Sequence, residues 1–281
     1  MLNTKQIIVS VSVLALMGAL LVQPIKGLVD KNEDSTTASA SNEASASSAY
    51  NLKSVSELSK QGVNSSLVQA ITAIETQVEK ADGEEKVNLL QDLANKWEDL
   101  AKPIPQGFIY QEMAQISPKI EFWLKSGDAF RTGYTNLQDT AMATALNKMA
   151  IDSYQKAIDI DGNNLAAKTG LGAALVTGST NPMAGIALLR EVVQVEPKNV
   201  EANKTLGLFS LQSQQFDKAV DRFKTVIEVK ADAESYFYLA TAYEKIGLKN
   251  EAIAAYQKSK GLAADPTLSQ YIDRQIEELS K

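Results

Sequence analysis

Five side chains between residues 50 and 135 are of types that could act on a substrate: Trp97, Glu98, Asp99, Glu121 and Trp123. Paired carboxylates beside aromatic platforms suit carbohydrate hydrolysis, which needs two carboxyl groups roughly 5–10 Å apart across one cleft. The chain contains no histidine and no cysteine. That excludes Ser-His-Asp and Cys-His nucleophile systems, histidine-zinc sites, thiolate chemistry, disulfides and the usual neutral-pH general base. Carboxylate, lysine or serine chemistry stays open. Its specific form is a carboxylate-based, carbohydrate-acting enzyme in residues 50–135, with the rest of the chain as a docking arm. The plainer reading is that these carboxylates are solvated helix surface and the two tryptophans are core.

Two further motifs point to ligands and fail on context. Thr169-Gly170-Leu171-Gly172-Ala173-Ala174 contains GxGxxA, but a dinucleotide loop needs a preceding strand. Leu165-Ala166-Ala167-Lys168 reads as helix, so Gly170 and Gly172 are expected to serve close packing. Asp159-Ile160-Asp161-Gly162-Asn163 hints at a calcium loop, yet the EF-hand spacing places its first and twelfth ligands at Ala157 and Lys168. Neither is a carboxylate, and the segment reads as a helix-ending turn. No cofactor and no metal site is expected. Asn64-Ser65-Ser66 and Asn203-Lys204-Thr205 match the glycosylation triplet only formally. With 28 Lys and Arg against 34 Asp and Glu, the net charge is −6, so no overall basic field draws nucleic acid.

The elements that must position any site are helices. Hydrophobic residues make up 44% of the chain and aromatics only 6%, a mix that favours helix over strand. Four segments align with one another: Met149 to Gly162, Ala184 to Pro197, Lys218 to Ala231 and Glu251 to Asp265. Each carries a small residue, Ala150, Gly185, Ala219 or Ala252, at intervals of 35, 34 and 33. Four residues later stands a large one: Tyr154, Leu189, Phe223 or Tyr256. Preceding helices carry Leu171-Gly172, Leu206-Gly207 and Leu239-Ala240, the last followed by Tyr243. A small residue lets two antiparallel helices approach, and a large one a turn later fills the gap between neighbouring pairs.

On these residues the chain resembles the tetratricopeptide repeat family, whose period is 34 residues. The resemblance covers about residues 120–265 and implies an all-α, right-handed solenoid of antiparallel helix pairs. The usual first-helix tryptophan is absent, with Asn203 and Tyr236 in its place. The first copy is stretched: Gly127 to Ala150 spans 23 residues where Gly207 to Ala219 spans 12. In such stacks the first helices line a groove for a protein segment. The family register places Glu201, Lys204, Leu208 and Leu211 there from one copy and Phe237, Thr241, Glu244 and Lys245 from the next, with Ala173 and Val176 earlier. Tyr236, Phe237 and Tyr238 cannot all enter one core, so at least one is expected to be exposed. The basic pattern with which the family clamps an acidic carboxyl terminus is missing, since only Lys204 and Lys245 are available. An unidentified protein is thus the expected partner, held without a cofactor.

Flanking regions complete the organisation. Residues 50–118 carry two apolar stripes, Leu67 to Val78 and Val87 to Trp97, which predict a helical hairpin, either separate or a degenerate repeat, packed on the array and ending near Pro103 and Pro105. Residues 119–265 are the repeats, and 266–281 form a capping helix with Leu268, Ile272, Ile276 and Leu279 on one face. At the amino end, Ile7 to Val22 is uncharged and apolar apart from two serines, with Lys5 before it. Residues 1–29 read as a single membrane anchor or a cleaved signal, and both send the chain across a membrane. The bulk of the chain is then expected outside the cytoplasm, in a bacterial periplasm if the anchor is retained and secreted if it is cleaved. Residues 30–49, rich in Ser, Ala, Thr and Asn, cannot bury enough to offset ordering and read as a flexible tether.

Overall fold

The computed structural model describes residues 50–135 and 137–281, which form thirteen helices. The expected anchor and tether, residues 1–49, lie outside the described residues. Among the described residues no helix is long and apolar enough to cross a membrane.

The amino-terminal region holds α1 (Leu52–Ser59), α2 (Ser65–Val78), α3 (Gly83–Asp99) and α4 (Pro103–Ile116). The predicted hairpin is therefore corrected to four helices. Pro103 does not end an element; it occupies the start of α4, where a missing N–H costs nothing and φ is already helical. Leu90, Leu93, Ala94 and Trp97 of α3 are fully buried with Ile71, Val78 and Ile109. Lys60 fastens α1 to α2 through Glu75 at 2.6 Å, and the Ser56 hydroxyl donates to the same carboxylate.

Next come α5 (Ile120–Tyr134), α6 (Thr140–Ile160), α7 (Leu165–Gly178), α8 (Pro182–Val195), α9 (Val200–Gln212), α10 (Phe216–Val229), α11 (Ala233–Lys245) and α12 (Lys249–Leu262). They pair in sequence, and each first helix also touches the first helix of the next pair. Asn164, Asn199 and Asp232 start α7, α9 and α11 by accepting the N–H of Ala167, Ala202 and Ser235. These are the side chains that satisfy the orphan donors of a helix start. The stretch in the first copy is taken up mainly by α6, which has 21 residues against 14 in α8, α10 and α12.

The small and large positions do what their spacing predicts. Ala150, Ala219 and Ala252 are completely buried, as are Tyr154, Leu189 and Phe223. Tyr154 wedges between two first helices: a β-carbon on Gly127 or on Gly170 would come within 2.7 and 2.3 Å of its ring. Phe223 repeats the arrangement, facing Gly207 and stacking on Tyr238 of the next pair at 5.5 Å. The glycines of the GxGxxA stretch lie inside α7 as packing residues, and Asp161-Gly162 is the turn after α6. Helix α3 shows the same spacing as α11, Leu93-Ala94-Trp97 against Leu239-Ala240-Tyr243.

The last helix, α13 (Pro266–Leu279), closes the stack. Ile272 is fully buried, and Leu268, Ile276 and Leu279 pack beside it on the α10–α12 core.

Candidate functional site

The residue after each close-approach position, and the residue a turn later, occupy one register along the row of first helices. They are Asp128 and Arg131 on α5, Ala173 and Val176 on α7, Leu208 and Leu211 on α9, and Thr241 and Glu244 on α11. The row is apolar in its two middle pairs and polar at both ends. A cleft of about 670 Å³ opens across α5, α7 and α9. Its apolar lining comes from Ala173, Val176, Leu208 and Phe209, and its polar lining includes Arg131, Tyr134, Glu201, Lys204 and Gln212.

Charges in this cleft are already paired. Arg131 Nη1 donates to Glu201 Oε1 at 2.7 Å, tying α5 to α9, and Lys204 Nζ donates to Glu234 Oε2 at 2.6 Å, tying α9 to α11. Burial pushes the Arg131 guanidinium down, but Glu201 and Tyr154 outweigh it and hold the group firmly charged. Burial likewise lowers Lys204, and Glu234 more than restores it. Desolvation raises the Tyr134 phenol, whose oxygen lies 3.2 Å from Thr177 Oγ1. The cleft thus offers an apolar floor with neutralised charge pairs along it. Arg131 and Lys204 are largely buried in these pairs, so a ligand that displaces one carboxylate must bring a negative charge of its own.

The structure brings together Ala173, Val176, Glu201, Lys204 and Leu208, which share this cleft. Leu211, Phe237, Thr241, Glu244 and Lys245 are not among the residues that line it. Phe237 instead meets Tyr256 at 5.7 Å and Tyr271 of α13 at 5.8 Å. Thr241 lies 3.4 Å from the Tyr256 hydroxyl, Glu244 Oε2 accepts from that hydroxyl at 3.0 Å, and Lys245 pairs with Glu244. Leu211 packs against the α10–α12 core. The expectation of an exposed aromatic is corrected: Tyr236, Phe237 and Tyr238 are all half-buried. The physical reason is α13, which lays Tyr271 beside Phe237, and the stacking of Tyr238 on Phe223. Arg131, Tyr134 and Phe209 were missed by sequence reasoning. Arg131 stands at the register position of Val176 and Leu211, but the stretched copy obscured it.

The carboxylate constellation does not assemble. Trp97 is fully buried, while Glu98, Asp99 and Glu121 are exposed and line no described cavity. Trp123 is half-buried and packs against the same core as Trp97.

Residues 233–266, which span α11 and α12, match the tetratricopeptide repeat. No curated protein matches the chain. Among solved structures, a tetratricopeptide repeat protein of Parabacteroides merdae ATCC 43184 is similar at 16% identity. That alignment covers 82% of this chain and 86% of that one, with a TM-score of 0.55. Residues from 41 onward of MamA from Desulfovibrio magneticus RS-1 align at 18% identity over 65% of this chain and 97% of that one, TM-score 0.49. A thermophilic tetratricopeptide repeat protein of Thermus thermophilus aligns at 15% identity over 69% and 98%, TM-score 0.49. The likeness to the Parabacteroides protein is one of fold.

Proposed function

We propose that this protein is a non-catalytic scaffold or assembly module that holds a segment of another protein in the cleft across α5, α7 and α9. One observation carries the reading: the row of first helices presents an apolar middle between polar ends, open to solvent and lined by charges that already have partners. Such a surface suits a peptide or helix with a short apolar stretch, whose side chains enter while its backbone lies along the row. Glu201, Lys204 and Leu208 are its contacts from α9, and the polar end at Thr241, Glu244 and Lys245 extends it toward α11. The sequence of residues 7–22 supports a membrane anchor, and residues 30–49 support a tether whose reach is on the order of 25 Å. On this reading the stack works on the outer, periplasmic side of a bacterial membrane.

Photo-crosslinking in cells from Gln212, which is exposed and lines the cleft, should yield a discrete adduct with the partner. The double variant Val176→Lys, Leu208→Lys should lose it with helicity by circular dichroism unchanged. An adduct of equal yield in the double variant overturns the assignment. Sequencing the mature amino terminus tests the anchor: a start beyond Pro24 ends that part of the reading.

A further inference from the structure

A second cleft, of about 180 Å³, lies between α8, α9 and α10 and is lined by Arg190, Lys218 and Arg222. Asp221 is the one carboxylate among its lining residues, and the Ser210 and Thr225 side chains also face it. The cations here differ from those of the first cleft in outnumbering the carboxylate beside them three to one. Neither Arg190 nor Arg222 forms an ion pair among the described residues, although the chain as a whole is acidic. Glu191, next to Arg190 in the chain, takes Lys168 at 3.0 Å instead.

What holds Arg222 is a neutral acceptor. Its Nη1 donates to Asn203 Oδ1 at 2.8 Å, and Asn203 is buried and fixed through its own amide to the Pro197 and Asn199 carbonyls. Lys218 Nζ donates to Gln215 Oε1 at 2.6 Å, again a neutral group. Burial depresses the Arg222 guanidinium below its usual range and the like charge of Arg190 depresses it further, with Asp221 offsetting only part of this. Three cations lining one cleft, two of them held by neutral amides and none in an ion pair with Asp221, are an arrangement that repels itself until an anion arrives.

We infer that the Arg190–Lys218–Arg222 cleft binds a phosphate dianion, free or as the monoester of a small molecule. The charges match: three cations against Asp221 leave a local excess that a phosphate, carrying roughly −1.5 to −2 near neutral pH, cancels. The shape matches as well. Arginine forks donate paired N–H bonds to oxyanion oxygens, and the cleft is too small for a helix yet ample for one phosphoryl group with water. This site goes beyond the protein-holding cleft and does not depend on it.

The test uses the full chain with inorganic phosphate and with glycerol 3-phosphate, against sodium chloride of equal ionic strength. Titration calorimetry should show saturable one-to-one binding. Removing a charge-assisted hydrogen bond costs about tenfold or more in affinity, so Arg190→Gln and Arg222→Gln should each weaken binding by that factor. Arg190 makes no side-chain hydrogen bond among the described residues, so Arg190→Gln should leave the midpoint of thermal unfolding without phosphate unchanged or raised. Phosphate-induced stabilisation should nonetheless be lost. A merely structural arginine would lower the phosphate-free midpoint. Tighter binding of the ester identifies a small-molecule monoester as the ligand, and equal binding identifies free phosphate. Absence of saturable binding, or binding unchanged in Arg190→Gln, overturns the inference.

Discussion

Gly185→Ala is the sharpest test of how the helix pairs are built. A β-carbon on Gly185 would lie 2.5 Å from the Gly172 carbonyl oxygen, 2.9 Å from Leu175 Cβ and 2.9 Å from Val176 Cγ2. Ordinary contact begins near 3.4 Å, so α7 and α8 must part by about 0.9 Å at the crossing. Two of the three obstacles are backbone or Cβ atoms and cannot rotate away. Overpacking of this kind costs about 1–3 kcal/mol, and rigid obstacles place Gly185 in the upper half of that range. Ala in place of Gly within a helix returns about 0.8–1.0 kcal/mol. The net is a loss of about 1–2 kcal/mol, which for a domain of this size lowers Tm by roughly 2–8 °C. Gly261→Ala in α12 supplies the control. Nothing lies within 4 Å of its new β-carbon, so it should gain up to about 1 kcal/mol. Urea unfolding followed by circular dichroism measures both, and amide hydrogen exchange should show the loosening in α7 and α8. Equal midpoints for Gly185→Ala and the wild type would refute the close crossing, and with it the placement of Val176 in the cleft.

Other consequences are measurable by the same means. Gln214, with φ of 59°, stands in the turn after α9 where Gly247, with φ of 82°, stands after α11. Gln214→Gly should therefore stabilise by about 0.5–1 kcal/mol, and Gly247→Ala should destabilise by a similar amount. Asp232 caps α11; burial pushes its carboxyl up, but hydrogen bonds from Ser235 and the charges of Lys204 and Lys230 hold it below the usual range. A depressed folded-state pKa stabilises above the unfolded value of about 3.9 and loses that stabilisation as pH falls through the folded value. Asp232→Asn should accordingly cost about 0.3–1 kcal/mol at pH 7, and the difference from wild type should shrink in acid below pH 4. A constant difference across that window would show that the charge is not what matters. Ending the chain after Asp265 removes Ile272 and Tyr271 from the α10–α12 core. Self-association, read by light scattering, should follow from the uncovered apolar end.

Much of the fold is legible because the repeat spends its information on local contacts. Ala219 and Phe223, or Ala252 and Tyr256, are separated by one helical turn, and a small residue followed by a large one dictates a close crossing wherever it occurs. Asn164, Asn199 and Asp232 announce helix starts for an equally local reason. Leu93, Ala94 and Trp97 share the spacing of Leu239, Ala240 and Tyr243, but the helix after them was not foreseen, because Pro103 and Pro105 were read as terminators and Pro103 in fact opens α4. The carboxyl half of the candidate groove, from Phe237 to Lys245, does not line the cleft across α5, α7 and α9. Register alone puts Phe237 among exposed positions, but α13 returns across α11 and lays Tyr271 against it.

The sequence by itself determined the helix-pair architecture, the packing positions and the exclusion of histidine and cysteine chemistry, since these depend on residue type and on spacing within a turn or a repeat. Only the tertiary structure decided which charges find partners. Arg131 and Glu201 meet across α5 and α9, whereas Arg190 and Arg222 line one cleft without an ion pair among the described residues, and Glu191 is drawn off to Lys168. Ionic pairing acts over a few ångströms in space, between residues one or more repeats apart in the chain. No local pattern records it.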